Sequence, residues 1–262
     1  VYQQPGGEPP RQGRNLVMIF SIVAIVVIIA AVVTIVLLNR GSSEPVAQNT
    51  TPANSTSSSA PPATSKSGTS TSKAADSLQP RNPGWTVIKN DKAKLIYEVP
   101  PAWTPLPSGT LSPKTLPDAT IYFPAALGNY QCEGKGYSRG GLGGGTIAKA
   151  DPAQAATNIA KAFGADLYSS GTATVETTAP KTVTNMAGPN GKQLSGAQVD
   201  AFVTVTGNNC LATKGKVSVL VVDNGSDLSF LMVNGDMAGG PATPAPPSEL
   251  DLQKIIDTTR GY

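Results

Sequence analysis

Residues 216–233 read KVSVLVVDNGSDLSFLMV, and the rest of the domain is organised around them. Two apolar runs, Lys216–Val222 and Leu228–Val233, flank Asp223-Asn224-Gly225-Ser226. Asn and Gly tolerate the positive φ that a tight turn between strands requires, so the segment predicts an antiparallel hairpin. Upstream, residues 194–206 alternate, with Ala197, Val199, Ala201, Val203 and Val205 on one face. That period of two adds a third strand. Shorter strands are predicted at 94–99, 119–123 and 181–185, with a Gly/Pro/Asn turn at 186–191. Pro100-Pro101 closes the first of these, and Trp103 is expected to anchor the core over its end.

Two helices complete the pattern. Asp151 is a good N-cap and Pro152 suits the first helical position. Ala153, Ala156, Ala160 and Phe163 share a face with Ile159 beside it, and Gly164 is expected to end the run. Ser248-Glu249-Leu250-Asp251 has capping-box spacing after the Pro-rich connector 239–247. Leu252, Ile255, Ile256 and Thr259 would form the buried stripe of this last helix. The fold class is therefore α+β: about seven mostly antiparallel strands flanked by helices.

The run Gly140-Gly141-Leu142-Gly143-Gly144-Gly145 invites comparison with phosphate-binding loops. Its spacing fits neither the dinucleotide fingerprint nor the P-loop, and no Lys-Ser/Thr or helix start follows directly. A Gly-rich turn or bulged strand is expected instead.

Residues 84–262 form the predicted domain, and three segments precede it. Leu16–Leu38 holds 23 residues without a charge, with Ser21 and Thr34 as its polar members. As a helix it reaches about 34 Å, enough for a hydrocarbon core of about 30 Å. A cleaved signal peptide would have a shorter apolar core and a small-residue cleavage site. Here Asn39-Arg40-Gly41 follows, and Pro45-Val46-Ala47 is a weak cleavage candidate. A retained transmembrane helix is the expectation. Arg11 and Arg14 before it, against Arg40 just after it, favour a cytoplasmic N-terminus. Residues 1–15 read as the end of a disordered cytoplasmic tail. Residues 39–83, rich in Ser, Thr, Ala and Pro, read as a flexible spacer. The same composition suits an O-glycosylated stalk. Asn49-Thr50-Thr51 and Asn54-Ser55-Thr56 fit the N-glycosylation pattern, a short match expected by chance in such a stretch.

Composition narrows the function classes. The formal net charge is +3, all of it before Gly84, since the domain has 14 basic and 14 acidic residues. No basic run marks a phosphate-binding face, so no nucleic-acid partner is expected. His is absent, which removes the usual general base near neutral pH and the commonest metal ligand. Cys132 and Cys210 are the two cysteines. Outside the cytoplasm an even count predicts a disulfide between them, closing a loop of about 79 residues and contributing roughly 4 kcal/mol.

Tyr97-Glu98-Val99-Pro100-Pro101-Ala102-Trp103 resembles the opening of PsbP-like domains, and Asp251–Arg260 resembles their closing helix. The hairpin over 217–233 is similar to the strand pair before that helix. The layout also resembles LpqN-like and other extracytoplasmic domains of actinobacterial single-pass proteins, where a central helix lies between two distant cysteines. The resemblance implies a PsbP-like sandwich, a central antiparallel sheet between helices, and a binding or assembly role without enzyme activity.

The expected function is a membrane-anchored, extracytoplasmic binding or assembly module of the cell envelope, partnered by an envelope protein, a lipid or a glycan. No catalytic residue, metal site or cofactor is expected. The alternative is a carboxylate-dependent hydrolase acting on envelope glycan, with Asp223, Asp227 and Asp236 as the nearest acidic cluster. The plainer account of these three is that Asp223 serves the hairpin turn and the others are solvated. A sensor signalling through the span is a third option, which the flexible spacer disfavours.

Overall fold

Asp223 and Leu228 close the hairpin as a registered pair, so its loop holds four residues. Asn224 makes that loop. Its side-chain oxygen accepts from the backbone N–H of Ser226 (3.2 Å) and of Asp227 (3.1 Å), while Gly225 takes the positive φ.

The computed structural model describes residues 78–106, 108–207 and 210–262. The chain runs β1 (Thr86–Asn90), β2 (Leu95–Val99), β3 (Trp103–Pro105), β4 (Thr110–Leu111), β5 (Ile121–Cys132) and β6 (Lys135–Ile147). Then come α1 (Pro152–Leu167), β7 (Thr172–Thr177), β8 (Lys181–Ala187), a 3-10 turn at Pro189–Gly191, and β9 (Gln193–Thr206). β10 (Ala212–Asp223), β11 (Leu228–Gly239), α2 (Glu249–Asp257) and β12 (Arg260–Gly261) complete it. The main sheet has the order β3-β5-β6-β11-β10-β9-β7, with β4 also on β5 and β8 also on β9. A second sheet has the order β1-β2-β12, and every pairing is antiparallel.

The central hairpin is apolar almost without alternation because both faces of it are covered. Val217, Val219 and Val221 of β10 join Phe230 and Met232 of β11 under α1, whose Ala156, Ile159, Ala160 and Phe163 are buried there. Burying a side chain such as Ile159 or Phe163 contributes about 1.5–3 kcal/mol. Leu220, Val222, Leu231 and Val233 point the other way, onto Leu95, Tyr97 and Val99 of β2 and Leu252, Ile255 and Ile256 of α2. A one-residue slip would exchange the two faces, so both cores fix the register Val219↔Met232.

The predicted antiparallel sheet with two helices is present, and several particulars change. Among the described residues there are twelve strands rather than about seven. The Gly-rich run is not a turn but the middle of β6, in continuous register with β11, while its pairing with β5 shifts register between Tyr122 and Ala125, opposite Leu142–Gly144. Its glycines answer to close neighbours: a Cβ on Gly145 would stand 2.1 Å from the Thr120 carbonyl. α1 continues past Gly164 to Leu167, because that glycine lies against Val175 and Val203 of the sheet rather than capping the helix. β8 takes in Met186 and Ala187, confining the following turn to 189–191. α2 stops at Asp257, where Thr258 caps it. Thr259 is buried beyond the helix, and Arg260 pairs with β2 as a strand.

The helix starts follow the sequence. Asp151 Oδ1 accepts from Gln154 N–H at 2.8 Å. Ser248 Oγ accepts from Asp251 N–H at 3.0 Å, and the Ser248 hydroxyl donates to Asp251 Oδ2 at 2.8 Å. Residues 78–83, assigned to the spacer by sequence, belong to the described fold, with Arg81 and Asn82 donating backbone N–H groups to Glu98. Segments 1–15 and 16–38 lie outside the described residues. Among those described, no helix is long and apolar enough to cross a membrane.

Candidate functional site

α1 covers only part of its sheet face. Asn234 and Asp236 continue along β11 the stripe begun by Leu228, Phe230 and Met232, since alternate positions share a face. The helix ends at Leu167, and Tyr168 caps it. Where that cover runs out there is a cavity of about 440 Å³, within the range of small-molecule sites.

Met232, Asn234 and Asp236 of β11 form one wall, with Gly141 and Leu142 of β6 beside them. Gly141 keeps this wall open, because a Cβ there would lie 3.0 Å from Asn234 Oδ1. Leu167 and Tyr168 contribute from the end of α1. Tyr168 is held on two sides. Its ring lies over Gly215, where a Cβ would come within 2.1 Å, and its hydroxyl donates to the Gly235 carbonyl at 3.0 Å. Leu106 and Leu111 flank the cavity from the β3–β4 segment. Tyr130 and Tyr137 face it from the β5–β6 hairpin, their rings stacked at 5.9 Å.

Asp236 is 4% exposed, and its Oδ2 lies 3.1 Å from Arg139 Nη1. Arg139 is itself buried and reaches over the Pro-rich connector. Nη1 also donates to the Gly239 carbonyl (2.9 Å), Nε to that of Pro244 (2.9 Å) and Nη2 to that of Pro241. The Tyr130 ring centre is 5.3 Å from the guanidinium carbon, a cation–π contact. Burial dominates the titration of Asp236 and lifts it from the usual 3.8 to about 6, against the opposing pull of Arg139 and Tyr168. Burial likewise pushes the Tyr168 phenol up, and the Asp236 charge adds to this. The site thus presents one charge-balanced carboxylate, one amide and phenol groups inside largely apolar walls.

The disulfide borders this arrangement. Cys132 ends β5, two residues after Tyr130, and is bonded to Cys210 with the Cα atoms 5.9 Å apart. Leu211, next in the chain, lines the cavity. The crosslink therefore fixes the β5–β6 hairpin to the start of β10 beside the cavity.

A family model described as "Domain of unknown function (DUF8017)" matches residues 78–262, well over half of the chain. The chain belongs to the DUF8017 family. Those limits coincide with the start and end of the described fold, so the DUF8017 domain includes 78–83. No curated protein matches the chain. The solution structure of cyanobacterial PsbP (CyanoP) from Synechocystis sp. PCC 6803 is similar at 12% identity. The similarity covers 68% of this chain and 93% of that one, with a TM-score of 0.33.

The three aspartates grouped by sequence are not a cluster in this DUF8017 domain. Asp223 closes the hairpin loop and Asp227 lies in it, where Asp223 pairs with Lys149 and Asp227 with Lys94 at 3.2 Å. The Lys149 contact first, then the Gly225 N–H, lowers Asp223; the Ser226 hydroxyl first, then Lys94, lowers Asp227. Asp236 pairs in register with Gly215, eight residues along β10 from Asp223. That is about 26 Å at 3.3 Å per residue, beyond the 5–9.5 Å of a glycosidase carboxylate pair. Nor is Asp236 solvated, as the sequence reading supposed. Tyr130, Tyr137, Arg139 and Tyr168 went unnoticed in the sequence, where each stands alone. The one hint was Arg139 bordering a glycine run with no role in a turn.

Proposed function

We propose that this DUF8017 protein is a non-catalytic binding module, anchored by residues 16–38 and working outside the cytoplasm in the cell envelope. The observation that carries the binding reading is the cavity at the end of α1, where Asp236 and Arg139 are buried as a pair beside apolar walls. Burying such a pair brings little net stability over an apolar replacement, so a polar group kept at a cavity wall is a natural recognition element. The Cys132–Cys210 bond supports the oxidising compartment, since structural disulfides persist there. An uninterrupted apolar stretch of 23 residues supports the anchor. Envelope protein, lipid and glycan remain the partner classes, and the cavity favours a small molecule or one protruding group of a larger one.

Two measurements test this. An impermeant maleimide applied to intact cells should label the chain only after external reduction. Labelling without reduction overturns the disulfide, and labelling only after lysis overturns the placement. For binding, the full chain and its Ala126→Trp variant, which fills the cavity from a half-buried position paired with Gly141, are incubated with envelope extract and analysed by native mass spectrometry. A component retained by the native chain and lost from the variant is expected. Equal spectra overturn the cavity as the binding site.

A further inference from the structure

The cavity also constrains the chemistry of what enters it. Five large apolar side chains are exposed among the described residues, and two of them, Leu106 (38%) and Leu111 (43%), lie at this site. Ile121, Leu167 and Met232 extend the apolar lining inward. A wholly polar ligand would leave these surfaces without a partner, so the occupant has an apolar body.

The polar end follows from the charges. Asp236 is already balanced by Arg139, which turns three further N–H groups to the carbonyls of Gly239, Pro241 and Pro244. A cationic head at Asp236 would face the guanidinium behind it, and an anionic head would face the carboxylate. A neutral donor meets neither penalty, and a carboxylate has acceptor sites beyond the one that Arg139 uses.

We propose that the cavity takes an uncharged amphiphile, its apolar body against Leu106, Leu111, Ile121, Leu167 and Met232 and its hydroxyl or amide N–H donated to Asp236. This rests on the cavity being the binding site of the module proposed above.

Met232 supplies a local probe, because it lines the cavity and is 1% exposed. The full chain, labelled with 13C at its methionine methyls and held in lipid nanodiscs, is titrated with 1-hexanol, hexanoate and hexyltrimethylammonium. Hexanol should shift the Met232 resonance saturably, at least tenfold more tightly than either charged probe. Leu111→Glu, at an exposed position that leaves folding intact, should weaken hexanol at least fivefold, and Asp236→Asn should erase the preference for the neutral head. Equal shifts from all three probes overturn the ligand class while leaving the cavity as a binding site. No Met232 shift from any probe overturns both the class and the site.

Discussion

Glu98 on β2 and Arg260 on β12 form an ion pair of 3.0 Å with both side chains buried, 0% and 5% exposed. Glu98 also accepts from the backbone N–H groups of Arg81 (2.9 Å) and Asn82 (3.1 Å). One carboxylate thus joins the first described residues to the last strand. Removing either partner strands a buried charge, which costs about 3–5 kcal/mol. Arg260→Met should lower the unfolding free energy by that order in urea denaturation. Glu98→Leu combined with Arg260→Met should recover much of the loss, because the stranded charge is gone. A double variant as unstable as the sum of the singles would show that the pair does not act as a unit.

Glu98 and Asp236 should give stability opposite dependences on pH. For Glu98, burial opposes ionisation, but the Arg81 and Asn82 amides and Arg260 outweigh it and hold the pKa below the usual 4.5. Its contribution is present above 4.5 and is lost as pH falls through the lowered value. Asp236 is raised from 3.8 to about 6, so between those values the folded state binds more protons than the unfolded one. Stability from this group therefore falls as pH rises from 3.8 to 6 and is flat above. Urea denaturation of Asp236→Asn at intervals from pH 3.5 to 7 should lose the downward component between pH 4 and 6. An unchanged slope would place the Asp236 titration elsewhere.

How much of this was legible in sequence depended on range. The hairpin, the alternation of 194–206 and both helix starts are local signals, carried by Asn224-Gly225, by period-two valines, and by Asp151 and Ser248 with their near neighbours. Strand limits were less legible because the central strands are buried on both faces, which removes the alternation that marks an edge. Gly164 and the run at 140–145 look like breakers in isolation. They are glycines because Val175, Val203 and the Thr120 carbonyl approach from distant segments. The candidate site was the least legible part. Asp236 and Arg139 are 97 residues apart, and nothing local distinguishes either from a surface charge. The aspartates that looked grouped were merely close in sequence, at the wrong end of the hairpin.

The glycine run offers a test of that account. A Cβ on Gly145 would meet the Thr120 carbonyl at 2.1 Å and the Phe230 ring at 3.1 Å, so strands must separate to admit it. Gly145→Ala should destabilise by about 1–3 kcal/mol, as overpacking does. On the same strand Gly136 meets only the end of the Gln131 side chain, at 3.7 Å. Gly136→Ala should stay within about 0.5 kcal/mol of the native chain. Parallel thermal and urea melts of the two variants make the comparison. Equal effects would mean that the run is glycine for some reason other than close packing.

The disulfide should matter for stability and for the site in separable ways. Cys132 and Cys210 are 78 positions apart, so the bond removes considerable freedom from the unfolded chain, about 4 kcal/mol in the loop-entropy account. Cys132→Ser with Cys210→Ser should lower the urea midpoint accordingly, and reductant should produce the same shift in the native chain but none in the double variant. The bond also secures the hairpin bearing Tyr130 and Tyr137 to the segment bearing Leu211, all of which line the cavity. Freed of it, the tyrosine end of the cavity should lose order while the α1–β10 core does not. Hydrogen exchange should therefore quicken at 129–138 and 211–213 and stay slow at 217–221. Uniform acceleration across both regions would mean that the crosslink supports the whole fold rather than this end of the sheet.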